Sequence, residues 1–338
     1  MKQAAVSAAV VLAMIAFGVG AYNTVGSLRG GTTAFQRPTS SLVAVPGTIY
    51  VAQGGALYRL RDGSFKQITP DDGWTQPAGS PDGKQVVAVK QTVNSGDLFL
   101  LEGDGRVVAQ LTHNDARRAE RNHWAFYPRF SADGATIFYS YDPKDPFNSY
   151  RVDLAIFSRP ADPASHGETD WTLPNQYTGG DTNPMPTKGA LVFTRFSIDE
   201  HSVMHSQVWL QGRPGSPGVA LTAAADDCAQ AAVSPDAKRL AMVCRHGELR
   251  SMRLVVVPLD LVSASIGPPA AVVSGGLVAS PAFSPDGQTL AYLAPASPGG
   301  PFQLWTVTLS PATGPASPRQ VTQNLSLDSS SPPAWVAS

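Results

Sequence analysis

The chain is short of the residues that most chemistries require. Its 338 residues hold two cysteines and six histidines, too few cysteines for a disulfide-dense scaffold or for a metal site built of four cysteines. Charged residues make up 15 %, and 25 basic against 26 acidic side chains leave a net charge of −1. That balance supplies no basic stripe for nucleic acid or for an anionic membrane surface. Helical periodicity is missing outside the first twenty residues. Glycine and proline, 31 and 29 of them, are what the chain has in plenty, and they fall between short alternating segments that read as strands.

Residues 1–21 carry a single lysine, Lys2, and then an uncharged apolar run, Ala4 to Gly20, ending in small residues. This pattern reads as a secretory signal peptide with a cleavage site near Val19-Gly20-Ala21, or as an uncleaved N-terminal membrane anchor forming an apolar leader helix. No cysteine follows the run, which excludes lipid attachment there. Residues 22–41 are rich in Gly, Thr and Ser and read as a flexible linker. Both alternatives for the leader place the remainder outside the cytoplasm, in a periplasmic or extracellular setting.

One stretch organises the rest. In Pro281-Ala-Phe-Ser-Pro-Asp-Gly-Gln-Thr-Leu-Ala-Tyr292, Pro285 presets φ for a turn, Asp286 can bond nearby backbone and Gly287 takes a positive φ between two alternating segments. The same β-hairpin cassette recurs at Ala78–Val89, Pro128–Tyr139 and Ala232–Met242, with a degenerate copy at Pro184–Phe193. Equivalent positions Ser80, Ser131, Pro186, Ser234 and Ser284 are spaced by about fifty residues. Four short strands per fifty residues is the period of a β-propeller blade. A sixth cassette is split: Pro333-Ala-Trp-Val336 repeats the lead-in, and the remainder lies at Pro46–Ala52, Ala56–Leu60 and Ser64–Thr69. Residues 42–338 are therefore predicted to form one all-β domain, a six-bladed propeller of four-stranded blades closed by exchange of N- and C-terminal strands. An apolar residue followed by Thr ends several units, at Ile68-Thr69, Leu111-Thr112, Leu221-Thr222 and Val321-Thr322.

The Ser-Pro-Asp-Gly cassettes with their Leu-Thr endings resemble the repeats of TolB-type periplasmic propellers and of the propellers of prolyl oligopeptidase-type enzymes, over residues 42–338. The resemblance implies an exported scaffold that binds partners, usually proteins. Fold-level likeness does not carry an activity. No Gly-x-Ser-x-Gly elbow occurs in the sequence, so peptidase chemistry does not transfer.

Strands in a blade alternate direction, so the cassettes share one face of the disc. The longer segments His113–Tyr127, Asp142–Tyr150 and Phe196–Ser206 share the other, in adjoining blades. Long loops on one face of a rigid scaffold are where binding residues gather. His123, Trp124, Tyr127, Asp142, Asp145, Tyr150, His201 and His205 are accordingly the candidate binding surface, for a protein or envelope component. No catalytic residue, metal ligand or cofactor is assigned, and a monomer is expected. Two other readings stand beside this one: a metal-dependent hydrolase or lyase with its site at the central channel, and a membrane-anchored sensor ectodomain. Asp199, Glu200, His201 and His205 contain metal-ligand types, but loop spacing fixes no geometry for them. Arg117, Arg118, Arg121 and Arg129 are read as solvated loop cations balanced by Asp115 and Glu120. The aspartate of each cassette is read as a turn residue. Cys228 and Cys244 flank the cassette of blade five and are predicted to form a disulfide. With Ser234 opposite Arg239 they lie opposite each other or one step off, and a one-step offset demands a bulge.

Overall fold

The computed structural model describes residues 40–143, 153–173, 180–246, 251–310, 314–315 and 317–337. The leader, the linker up to residue 39, and the candidates Asp145 and Tyr150 lie outside the described residues. The cassettes fold as their residue types dictate. In each full copy the serine Oγ donates to the aspartate Oδ1 two residues on, at 2.6 Å for Ser80 and Asp82 and 2.5 Å for Ser131 and Asp133. Ser234 with Asp236 and Ser284 with Asp286 repeat the bond. The same Oδ1 accepts the backbone N–H two residues further on, and the serine Oγ accepts the N–H that opens the next strand. These bonds satisfy the backbone of the turn without a partner strand. The degenerate copy solves the turn differently. Lys188 and Gly189, both at positive φ, sit between the paired residues Thr187 and Ala190, the two-residue connection whose twist suits a hairpin.

Six antiparallel sheets result. Blade two runs Trp74–Gly79, Gln85–Gln91, Gly96–Glu102 and Val107–Gln110; blade three runs Ala125–Phe130, Thr136–Tyr141, Ala155–Pro160 and Thr169–Asp170. Blade four is Asp181–Thr187, Ala190–Ile198, Met204–Gln211 and Val219–Ala220. Blades five and six open with Cys228–Val233 and Ala279–Phe283, and each pairs two short outer strands with its third. Blade one takes its innermost strand from the C-terminus: Ala334–Val336 pairs with Thr48–Gln53, setting Thr48 opposite Val336 and Tyr50 opposite Ala334. The predicted strand exchange is thus observed. The Trp335 indole N–H donates to the Pro46 carbonyl across the seam.

Alternate residues of each strand leave opposite sides of a blade, so each blade packs against two neighbours. Val87, Val89, Leu98 and Leu100 of blade two meet Tyr139 and Phe157 of blade three. Met242 and Val255 of blade five meet Val192 and Val208 of blade four in the same way. The recurrent threonine endings also have a task. The Oγ1 of Thr69, Thr112, Thr172, Thr222 and Thr322 accepts the N–H of Leu57, Leu98, Ile156, Val208 and Leu304 respectively. Each closes a strand's ladder where the outermost strand has ended.

One expectation is corrected. The Phe196–Ser206 segment is not an open loop: Ile198 pairs with Met204 and Ser197 with His205, so both strands extend until five residues remain at the tip. Short strands Ser265–Ile266 and Gly314–Pro315 add to the outer edges of blades five and six.

Candidate functional site

The lead-in to blade three is held by polar anchors beneath it. Asp97 Oδ1 accepts from Thr112 Oγ1 and from the Asn114 N–H, while Asn114 Nδ2 donates to the Gly96 carbonyl. Asn122 Oδ1 takes the Ala116 N–H and closes the loop on itself around a short turn at Ala119–Arg121. His123 leaves this loop half-buried, stacked on Tyr141 at 5.4 Å, with Nδ1 at 2.8 Å from the Asp142 carbonyl. Trp124 stacks on Phe126 at 5.8 Å. Asp142, a candidate for the surface, is 1 % exposed and gives its N–H to the Trp124 carbonyl. Its carbonyl thus holds the His123 ring and its N–H the Trp124 backbone.

Blade four contributes its long hairpin. Asp199 caps the tip by accepting the N–H groups of His201 and Val203, and His205 Nε2 stands 3.1 Å from Asp199 Oδ2. These bonds, that from Val203 foremost, hold the Asp199 carboxyl below its ordinary pKa. On the other side of the ring, His205 Nδ1 is 3.6 Å from Asp227 Oδ1, and Asp227 also pairs with Arg245 at 3.0 Å. His201 stays exposed beside Glu200. The two histidines therefore have separate partners. Asp199 and Asp227 approach opposite nitrogens of one imidazole, so these three groups share no point at which a cation would touch all of them. Among the described residues no cluster of three His, Cys, Asp or Glu side chains could hold a metal ion.

Tyr127 belongs to the axis. It stands at a bulge in the first strand of blade three with φ of 51°, and Gln76, Asn183, Gln230 and Ser280 occupy the same position in blades two, four, five and six with φ between 50° and 56°. The amides turned inward by these bulges are taken up by adjoining blades. Tyr127 N–H donates to Gln76 Oε1, Ser280 N–H to Gln230 Oε1, Gln230 N–H to Thr194 Oγ1 and Gln76 N–H to Ser331 Oγ. Burial pushes the Tyr127 phenol up to about 12, and the Asp328 carboxylate adds to the effect. In blade five the bulge brings Cys228 opposite Cys244, and the two form the predicted disulfide.

Below this ring, at the end where the cassettes lie, the first strands of blades two to six and the Ala334–Val336 strand line a half-open cavity of about 220 Å³. Arg129 projects into it. On sequence alone Arg129 reads as a solvated loop cation. It lies instead in the innermost strand of blade three, between the axial Tyr127 and the cassette.

No family model and no curated protein matches the sequence. Solved structures do. TolB from Acinetobacter baumannii superposes with a TM-score of 0.61 at 18 % identity, over 86 % of this chain and 67 % of that one. A putative TolB from Agrobacterium tumefaciens gives 0.58 at 12 % identity, over 86 % and 94 %. The fold is the TolB-type six-bladed propeller. A chain of a nidogen/laminin complex has it too, with a TM-score of 0.57 at 11 % identity over 85 % and 97 %. Identities this low establish the architecture of a TolB-type propeller and nothing finer.

The axial ring was not foreseen in the sequence. Its only trace is a residue directly before proline at the matching place in four blades, Gln76-Pro77, Tyr127-Pro128, Asn183-Pro184 and Ser280-Pro281. A positive φ there runs against the extended preference of a residue preceding proline, so residue type alone did not announce it.

Proposed function

We propose that this TolB-type propeller is an exported, non-catalytic scaffold that binds a protein or envelope component through the face carrying the blade-three lead-in and the blade-four hairpin. The observation that supports it is the anchoring of those departures from the repeat. Buried Asp97, Asn114, Asn122 and Asp142 hold the first, and Asp199 with Asp227 brackets the second, while their outer side chains stay available to a partner. Val203 and Ile198 are exposed apolar residues at the hairpin tip, beside His201. Preorganised loops with mixed apolar and polar tips lose little ordering entropy on binding. The Cys228–Cys244 bridge supports export, because such bonds persist in oxidising compartments.

Photo-crosslinking in the native host tests the face. A crosslinking residue at Val203 or Trp124 is expected to capture a discrete partner, and one at Lys84 or Gln288 on the cassette face is not. Capture from the cassette positions alone would refute the assignment. Export is tested separately by fractionation, with the protein expected outside the cytoplasm in oxidised form.

A further inference from the structure

The cavity at the cassette end of the axis has a composition that the long-loop face does not explain. Its walls are Ala78, Ala232, Ala282 and Ala334 with Met185, valines, prolines and the rings of Phe130, Phe283 and Trp335. The Trp335 indole N–H is already committed to Pro46. Arg129 is thus the one lining side chain with polar hydrogens to offer. Its guanidinium makes a single hydrogen bond, Nη1 to the carbonyl of neighbouring Pro128 at 3.2 Å, and no ion pair among the described residues. A guanidinium has five N–H donors, so one hydrogen bond within the fold leaves most of its capacity unused at the cavity wall. Burial alone pulls its pKa down to about 10, with no neighbouring carboxylate to hold it up.

We infer that this cavity is a binding site for a small organic monocarboxylate, its carboxylate paired with Arg129 and its apolar body against the alanine and aromatic walls. A partly desolvated cation without a counter-ion is costly, and a carboxylate matches the planar fork of a guanidinium with two parallel hydrogen bonds. A phosphate is the poorer fit, since one cation in otherwise apolar walls leaves its second charge and remaining oxygens without partners. At about 220 Å³ the space falls below that of drug-sized pockets, which suits one ring or a short chain. The alanines leave that room: the cavity-lining positions of blades two, five, six and one carry a methyl group where a larger side chain would fill the axis.

Calorimetric titration of the full chain with benzoate tests the site, with benzamide and inorganic phosphate as comparisons. Benzoate is expected to bind one to one, and both comparisons to bind at least about tenfold more weakly. Arg129→Gln, whose lost contact within the fold is one hydrogen bond, is expected to keep its melting temperature and lose benzoate affinity by about tenfold or more. Ala282→Leu keeps the guanidinium and fills the cavity, so it too should lose binding, and it decides the matter should Arg129→Gln fail to fold. Absence of benzoate binding at millimolar concentration overturns the inference. So does equal binding of benzamide, tighter binding of phosphate, or undiminished binding by Ala282→Leu. None of these results bears on the partner face, which lies at the other end of the disc.

Discussion

A serine, an aspartate and two backbone amides make each cassette, and the pH response of the fold follows from them. The hydrogen bond from the serine is the main cause that holds Asp82, Asp133, Asp236 and Asp286 below the ordinary carboxylate pKa, with the backbone N–H second. A carboxylate whose folded pKa is depressed contributes stability that is complete above its unfolded value and is lost as pH falls through the lower folded one. Stability is therefore expected to decline from about pH 4 downward. All four groups are exposed, so each contribution is small, but the four titrate together. In Ser284→Ala, a carbon-detected NMR titration should show the Asp286 carboxyl moving up toward its ordinary value; an unmoved titration would refute the hydroxyl as the cause. The disulfide belongs to the same scale. Replacing Cys228 and Cys244 together by Ala removes a cross-link 16 residues long, worth roughly 3 kcal/mol in the chain-entropy treatment. Denaturant unfolding without reductant should show a loss near that size, and an unchanged midpoint would mean that the bridge constrains nothing.

At the scale of elements, what was legible in the sequence was whatever is decided locally. Hairpins could be placed because Ser-Pro-Asp-Gly settles its own backbone bonds, and the threonine endings because each caps one amide. The bulges were only half legible: a one-step offset between Cys228 and Cys244 would demand one in blade five, where it is found, yet the positive φ at Gln76 or Tyr127 depends on an acceptor in the adjoining blade. The blade-four hairpin is not legible as such, because Ser197, His205 and their neighbours carry no alternating pattern and suggest a loop. The charge of Arg129 suggests a loop, whereas its place two residues before the cassette serine puts it in the innermost strand. Closure was readable from the split repeat, and it can be tested. Removing residues after Asp328 exposes the edge of Thr48–Gln53 and discards Trp335 and Val336, both under a tenth exposed, at about 1.5–3 kcal/mol each. A large fall in thermal stability is expected, and a truncated chain that melts like the full one would refute the seam. A finer probe is Gly47→Ala. Gly47 has φ of 78°, and a Cβ there would stand 2.3 Å from the Val336 carbonyl oxygen. A loss of about 2 kcal/mol or more is expected from strain and clash together.

For the whole molecule, the decisive property is that its two faces differ in kind. The cassette face is built from near-identical turns around an apolar axial cavity with a single cation, while the opposite face carries the segments that break the repeat. If the latter is the partner face, substitutions should separate cleanly by side. His123→Ala removes the ring that stacks on Tyr141 and bonds the Asp142 carbonyl, and Trp124→Ala removes the ring over Phe126. Neither takes part in the hydrophobic clusters between blades, so the pair should cost about 1–2 kcal/mol of stability and leave the sheet signal in circular dichroism intact, while the crosslink from Val203 weakens. Asp82→Ala and Asp286→Ala should do the reverse, loosening two turns and sparing the crosslink. The two outcomes are read on one protein preparation, by thermal melt and by crosslink yield, so loss of fold cannot pass for loss of binding. A cassette-side pair that abolished the crosslink at full stability would place the partner on the wrong face of this account. A long-loop pair that left the crosslink untouched would confine any contact to the blade-four hairpin, and His205→Ala would then be the variant expected to abolish it.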